Sequence, residues 1–168
     1  MSFPPEILKK VLISKEDLHR YKDDLQHLFS KFDDYYIESD LDHAMYNGTR
    51  KSNIDFFKAF TRVLAIEELF LEICYVEEKP VAYLLGYIED TSIYFDIKSM
   101  AYCDGIFVDE AYRGQRLGKE LMNDFTNWCK DKNTTIMRLS VKLKNTDAIT
   151  FYKNLGFEVD EYKMIKNI

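Results

Sequence analysis

The sequence is poor in the residues that mark disulfide-linked and metal-binding proteins. Its three cysteines, Cys74, Cys103 and Cys129, are far apart and form no C-x-x-C pair. This odd, scattered set indicates neither a disulfide framework nor a zinc site. We expect reduced, buried thiols. His19 and His27 lack a third candidate ligand nearby in the sequence, so we expect solvated side chains rather than a metal site.

Basic and long apolar segments are also scarce. The first residues, M-S-F-P-P-E, lack the basic start and apolar run of a signal peptide. No apolar run approaches the roughly 18 residues of a membrane span. A net charge of −6 argues against nucleic acid as a partner, since phosphates attract basic surfaces. We expect a cytoplasmic protein that binds neither nucleic acid nor membrane and whose acidic balance suits a cationic substrate.

What the sequence does contain is enough apolar material for one well-packed domain. Its 168 residues are 46% hydrophobic, with 12 Tyr and 12 Phe. This content favours a folded chain with strands and aromatic-lined pockets. No interdomain linker or internal repeat is visible, so we expect residues 1–168 to form a single domain.

The spacing of apolar residues predicts the order β-α-α-β-β-β-α-β-α-β. A hairpin in the middle implies antiparallel strands, and a later β-α-β passage implies a parallel pair. We therefore expect an α/β fold: a mixed, mostly antiparallel sheet of about six to seven strands with helices on both faces. The predicted strands are Lys10–Ile13, Leu69–Glu77, Pro80–Glu89, Ala101–Val108, Ile136–Leu143 and Phe157–Ile165; the predicted helices are Lys15–Phe32, Ser52–Ile66, Leu117–Lys130 and Asn145–Leu155.

The most informative stretch runs from Val108 to Gly118 and reads V-D-E-A-Y-R-G-Q-R-L-G. It joins a predicted strand to a predicted helix, whose first N–H groups and dipole can hold an anion. Two common phosphate loops are excluded. Glu120 stands where a Walker loop needs Ser or Thr, and G-x-G-x-x-G is absent.

Two segments together resemble the GNAT superfamily of acyl-CoA-dependent N-acetyltransferases. Arg113-x-x-Arg116-x-Gly118 is similar to its pyrophosphate loop, R/Q-x-x-G-x-G/A, with Arg116 at a position usually held by glycine. The second segment, N-x-x-A-x-x-F-Y-x-x-x-G-F from Asn145 to Phe157, is similar to the helix beside the pantetheine arm. The resemblance is specific from about Ala101 to Phe157 and only compatible in layout before that.

The resemblance implies acetyl-CoA as co-substrate, a primary amine as acceptor and no metal. It also implies a GNAT-like sheet with a splayed central parallel pair, whose strand at Ile106, Phe107 and Val108 pairs with the pantetheine amides. Arg116 either donates to a phosphate, crowds the loop or is simply solvated. The residues expected to hold the pyrophosphate are Arg113, Gly114, Gln115, Arg116, Leu117, Gly118 and Lys119.

Three further side chains are candidates for the chemistry. Tyr152 is the candidate general acid, since a phenol with a pKa of about 10 is protonated at neutral pH. Its alternative role is packing on the apolar face of its helix. Asp104 is the candidate base, or else a structural or substrate-orienting carboxylate. It lies two residues before Ile106, so we expect both on one face of the strand, with Tyr102. Asn145 either contacts the cofactor or caps its helix.

The acceptor is the least determined part. The stretch from Asp33 to Lys51 is rich in carboxylates and is either a solvated loop or part of a pocket for a cationic amine. A small cationic amine is the favoured acceptor. A protein N-terminus or lysine is the alternative, and a non-catalytic acyl-CoA-binding module is the competing class. A homodimer is a possible assembly, because family members are often dimers.

Overall fold

The computed structural model describes residues 7–38, 61–63, 65–91, 96–164 and 166, with the side chains of residues 36–38 excepted. Residues 61–63 and 65 are helical. The longer elements are β1 Leu8–Leu12, α1 Lys22–Glu38, β2 Glu68–Val76, β3 Lys79–Asp90, β4 Ser99–Val108, α2 Leu117–Asp131, β5 Met137–Leu139 and α3 Thr146–Asn154.

The strands form one sheet in the order β1-β2-β3-β4-β5. The first three pairings are antiparallel, and β4 pairs with β5 in parallel. This confirms the predicted mixed, mostly antiparallel sheet. The described residues contain five strands rather than the six to seven expected.

Apolar side chains cover both faces of the sheet. On one face, α2 buries a stripe of Leu117, Leu121 and Phe125, each at most 1% exposed, and Trp128 packs against the same core. On the other face, Leu25 and Leu28 of α1 are buried against alternate residues of β2 and β3. Helices on both faces are therefore confirmed, and the two faces are called the α2 face and the α1 face below.

The first helix begins and ends later than its apolar spacing predicts. A 3-10 turn occupies Leu18–Tyr21, and α1 then runs from Lys22 to Glu38. The Asp17 N–H donates to Ser14 Oγ at 3.3 Å within the turn that precedes this 3-10 segment. The acidic stretch from Asp33 therefore begins inside a helix, and its continuation at residues 39–51 lies outside the described residues.

The C-terminal prediction was wrong in one element. Residues 157–164 have no regular secondary structure, whereas a strand was expected over Phe157–Ile165. The expected partner is short: β5 covers only Met137–Leu139, so it offers little edge for another strand. An ion pair instead holds this segment, with Arg138 Nη2 2.7 Å from Asp160 Oδ2.

The other expectations from composition can be checked in part. All three cysteines are buried and free, as predicted. Among the described residues, no group of three or more His, Cys, Asp or Glu side chains could hold a metal ion. None of the described helices has the length and apolarity to cross a membrane. The predicted helix Ser52–Ile66 lies mostly outside the described residues.

Candidate functional site

The sheet opens between its two parallel strands. β4 and β5 are paired only from Ala101–Cys103 to Met137–Leu139, yet β4 continues to Val108. Within the part of the chain that the structure describes, residues 104–108 of β4 have no strand on this side. Their backbone groups on that edge can therefore bind an extended ligand, as a further strand would. This is the splayed parallel pair that the family resemblance implied.

A β-bulge lies at Asp104, at the start of the opening. Leu85 pairs with Gly105 and Gly86 with Cys103, so Asp104 is the extra residue in the ladder. A bulge shifts the alternation of side chains by one position. Ile106 consequently packs against the core on the α2 face, while Phe107 is buried on the α1 face. The expectation that Asp104 and Ile106 share a face was therefore wrong.

The turn after β4 presents backbone donors, as an anion site requires. Arg113 closes a 3-10 turn by donating its N–H to Glu110 O at 3.2 Å. Gly114 and Arg116 have positive φ, 76° and 70°. The first hydrogen bond of α2 runs from Glu120 N to Arg116 O at 3.0 Å. The N–H groups of residues 117–119 therefore have no acceptor within the helix and remain available to a phosphate.

Gly118 allows three elements to meet at this turn. A Cβ placed on Gly118 would lie 3.3 Å from Phe151 Cζ and 3.7 Å from Val108 Cγ2. The start of α2 is therefore in close contact with the end of β4 and with α3. Gly118 and Phe151 are each a position of one of the two sequence motifs, so this contact brings the two motifs together in the fold.

Asn145 caps helix α3. Its Oδ1 accepts a hydrogen bond from Ala148 N at 3.2 Å, and the side chain is buried at 9% exposure. Of the two roles considered for this residue, the structure shows capping. A contact of Asn145 with a cofactor stays a prediction.

Tyr152 lies on α3, one residue after Phe151, which packs closely against Gly118 at the start of α2. It is half-buried, with ring centroids 5.3 Å from Phe151 and 5.7 Å from Phe157. Its carbonyl accepts the N–H groups of Leu155 and Phe157, and the helix ends before Gly156 (φ 90°). The ring is thus held by neighbouring aromatics. The role of Tyr152 as an acid is still a prediction.

Asp104 lies in a different environment, beside two tyrosines on the α1 face. The surrounding protein removes water from its carboxyl and raises its pKa, although the side chain is exposed; Arg62 opposes the shift. The rings of Tyr87 and Tyr102 are 5.4 Å apart. Tyr102 donates its hydroxyl to Ser140 Oγ at 2.9 Å and so spans β4 and the end of β5. A carboxyl with a raised pKa is better suited to accept a proton, which is compatible with the predicted base.

The structure thus collects the predicted cofactor residues at one end of β4 and separates the two predicted catalytic residues. The turn from Arg113 to Lys119 adjoins Val108 and α3. Asp104 belongs to the α1 face, whereas α3, which carries Tyr152, packs its Phe151 and Leu155 on the α2 face. The opening between β4 and β5 lies between these two environments.

Two residues that contact the turn were missed at the sequence level. Lys31 of α1 forms an ion pair with Asp109, and the guanidinium carbon of Arg113 is 4.7 Å from the ring centroid of Tyr35. Lys31 and Tyr35 are four residues apart and therefore share one side of the helix. Helical spacing alone reveals this side, but not what it contacts 78 residues later.

A mixed sheet that opens beside the free N–H groups of a helix start offers a site for a phosphorylated ligand at that edge. The family model described as "Acetyltransferase (GNAT) family" matches residues 25–157. This chain therefore belongs to the GNAT family of acetyltransferases. The match confirms the predicted family and its enzyme class, the acyltransferases.

Known proteins agree with this assignment. An uncharacterized N-acetyltransferase of Methanocaldococcus jannaschii is 33% identical over 104 residues, which cover 57% of this chain and 44% of that protein. The chain thus matches less than half the length of this curated relative.

The solved structures that resemble this chain support its fold. Aminoglycoside N-acetyltransferase AAC(6')-Iy, solved with a CoA-containing bisubstrate analogue, superposes with a TM-score of 0.70 at 16% identity, covering 96% of this chain and 97% of that one. A mutant Bacillus halodurans protein gives 0.76 at 16% identity, covering 95% and 99%. These low identities establish a shared fold only.

Proposed function

We propose that the chain transfers an acetyl group from acetyl-CoA to a primary amine of a cationic small molecule, by direct attack in a ternary complex. The observation that carries this proposal is the opening of the sheet directly beside the turn of residues 113–119. These two features offer backbone hydrogen bonds to an extended arm and N–H donors to a pyrophosphate. Residues 1–168 would act as one domain.

The predicted cofactor-binding residues would bind different parts of the cofactor. The backbone of Ile106, Phe107 and Val108 borders the opening and would bind the amides of the pantetheine arm. The N–H groups of Leu117, Gly118 and Lys119 would bind phosphate oxygens. The remaining residues of the turn, Gly114, Gln115 and Arg116, complete the cradle. Arg116 adds a guanidinium that has no hydrogen-bond, ion-pair or ring partner within the described part of the chain.

Acetyl-CoA would supply the acetyl group as an activated thioester. A backbone N–H near Val108 would stabilise negative charge developing on the acyl oxygen. Tyr152 would donate its phenol proton to the departing thiolate. Asp104, whose pKa is raised by loss of water, can accept a proton from the incoming ammonium, directly or through a water molecule.

Two observations favour a small cationic acceptor. Similar folds include aminoglycoside acetyltransferases, such as one from an uncultured soil metagenomic sample with a TM-score of 0.67, 17% identity and 98% coverage of both chains. The net charge of −6 also attracts cations. Acceptors at a protein N-terminus or lysine, a cytoplasmic location and a homodimer stay predictions.

The test begins with CoA binding. Acetyl-CoA and CoA should raise the melting temperature and ATP should not, because a ligand that binds only the folded state stabilises it. Release of free CoA thiol is then measured with polyamines, amino sugars and lysine-containing peptides in parallel. Turnover with the first two classes supports the proposal. Turnover only with peptides favours the alternative acceptor, and binding without any thiol release favours a non-catalytic module.

Tyr152→Phe tests the proposed acid. We expect kcat to fall by about 100-fold, the scale of general acid catalysis, with little change in the KM for acetyl-CoA. Tyr162→Phe is the matched control, because Tyr162 is 81% exposed. An unchanged kcat in Tyr152→Phe would remove this residue from the acid role.

A further inference from the structure

Helix α1 contacts residues 109–113, the segment that follows β4, through two side chains that lie four positions apart on the helix. The Lys31 ammonium forms an ion pair with the carboxylate of Asp109, at the start of the turn. The ring of Tyr35 lies 4.7 Å from the guanidinium carbon of Arg113, which follows the 3-10 residues Glu110–Tyr112. Lys31 and Tyr35 thus contact both ends of the segment that leads from β4 into the anion cradle.

The Arg113 side chain makes two contacts within the protein. Its Nε donates a hydrogen bond to Val108 O at 3.1 Å, which ties the end of the turn to the end of β4. Its planar cation faces the Tyr35 ring at a distance typical of a cation–π contact. A guanidinium held by these two contacts braces the turn internally.

At the other end of segment 109–113, Asp109 also makes two contacts. Its Oδ1 accepts the N–H of Ala111 at 3.2 Å and starts the 3-10 turn. Partial burial opposes ionisation of this carboxyl, but the Lys31 ammonium and the Ala111 N–H outweigh it and lower the pKa of Asp109. The carboxylate therefore stays charged, and the ion pair persists, at neutral pH.

We propose that Tyr35 and Lys31 are positioning residues for acyl-CoA binding. Through Arg113 and Asp109 they hold segment 109–113 in the shape that leaves the first N–H groups of α2 open to a phosphate. Arg113 then acts as a brace rather than as a phosphate ligand. The ligand named here depends on the proposed function, whereas the contacts between α1 and the turn do not.

The variant that tests this directly is Tyr35→Leu, with Tyr35→Phe as its matched control. Leucine removes the ring beside Arg113, and phenylalanine keeps it. We expect the Kd for CoA, measured by calorimetry, to rise about fivefold in Tyr35→Leu and to stay near wild type in Tyr35→Phe. The KM for acetyl-CoA should rise likewise with little change in kcat, because Tyr35 contacts neither reacting group. Lys31→Met should weaken binding in the same direction.

A double-mutant cycle separates a brace from a ligand. If Arg113 acts through Tyr35, then Arg113→Gln should cost less CoA affinity in the Tyr35→Leu background than in wild type. Strictly additive losses would show that Arg113 contacts the ligand independently and would overturn the proposal. Wild-type affinity in Tyr35→Leu would overturn it as well.

Amide hydrogen exchange without ligand keeps this test apart from the proposed function. The amides of residues 109–118 should exchange faster in Tyr35→Leu than in Tyr35→Phe, because the brace is lost. If wild-type protein does not bind CoA, the proposed function fails, yet this exchange difference still decides whether α1 holds the turn. Equal exchange in the two variants would refute the brace.

Discussion

Arg116 has a left-handed backbone conformation, which residues with a Cβ rarely adopt. It has φ 70° and ψ 1° and stands directly before α2, where its carbonyl accepts the first helical hydrogen bond. Left-handed backbone costs a residue with a Cβ about 1 kcal/mol or more, and glycine nearly nothing. The usual glycine of the related motif thus has a physical reason, and arginine retains the same conformation at a cost.

Arg116→Gly should therefore change stability and binding in opposite directions. We expect the free energy of unfolding to rise by about 1 kcal/mol in urea titrations without ligand, because the strain is relieved. The Kd for CoA should rise by about fivefold to tenfold if the guanidinium donates to a phosphate. Both quantities can be measured on the same preparations.

Arg116→Gln is the control that separates the two effects. It removes the charge and keeps a Cβ, so it should weaken CoA binding without stabilising the free protein. If Arg116→Gly and Arg116→Gln both bind CoA as the wild type does, then the guanidinium is a solvated surface group and only the backbone argument survives.

The turn could be located from the sequence because its signals are local: a strand, two glycines and a helix start. The contacts that support it could not. Tyr35 and Arg113 are remote in sequence, and nothing in either segment indicates the other. The bulge at Asp104 was also invisible, because it arises from the pairing of two strands and changes no residue pattern within β4 alone.

At the scale of elements, α2 approaches the sheet closely where β3 has a glycine. A Cβ built on Gly86 would lie 2.4 Å from Phe125 Cζ, and Phe125 is fully buried. Gly86→Ala should destabilise the protein by about 1–3 kcal/mol, the usual cost of overpacking, measured by urea unfolding. The bulge at Asp104 of β4 lies opposite Leu85 and Gly86, next to this contact.

A second substitution, Phe125→Leu, tests whether the contact with Phe125 causes the loss of stability in Gly86→Ala. A shorter side chain leaves room for the alanine, so the double variant Gly86→Ala/Phe125→Leu should lose less stability than the sum of the two single changes. Additive losses would mean that Gly86→Ala acts through backbone conformation or strand pairing instead of through the α2 contact.

The predictability of each element follows from how it is stabilised. The helix from Leu117 and the hairpin from Leu69 to Glu89 were found within a residue or two. The helix buries one periodic apolar face, whereas the hairpin strands are continuously buried apolar runs joined by a short turn. The strand expected after Phe157 has a suitable composition, but a strand also needs a partner edge. With β5 only three residues long, the sheet offers little edge, and Val159, Tyr162 and Met164 remain exposed.

At the scale of the whole molecule, one buried carboxyl couples stability to pH. Glu72 of β2 is 7% exposed, and its Oε2 has no hydrogen-bond partner in the described part of the chain. Burial, followed by the charge of Asp124, raises its pKa from 4.5 to about 7; Lys10, which pairs with Asp124, opposes this and Glu120 adds to it. An uncompensated buried carboxylate is costly, so the protonated form is favoured.

The sign of the pH dependence follows from this shift. Between pH 4.5 and about 7 the folded state retains a proton on Glu72 that the unfolded state has lost. The contribution of Glu72 to the free energy of unfolding is therefore fully present below its unfolded pKa and is lost as pH rises through its folded pKa. In Glu72→Gln, which resembles the protonated acid, this loss should disappear, so near pH 8 the variant should exceed wild type by on the order of 2 kcal/mol.

Urea unfolding of both proteins near pH 5 and pH 8 measures the effect, with Glu67→Gln as a control at an exposed glutamate. The Glu67→Gln curve should run parallel to wild type, because this side chain is exposed to solvent and its replacement removes no buried group. If Glu72→Gln also runs parallel to wild type across this range, Glu72 is ionised in the folded protein, and its charge must be balanced by Lys10 rather than removed by a proton.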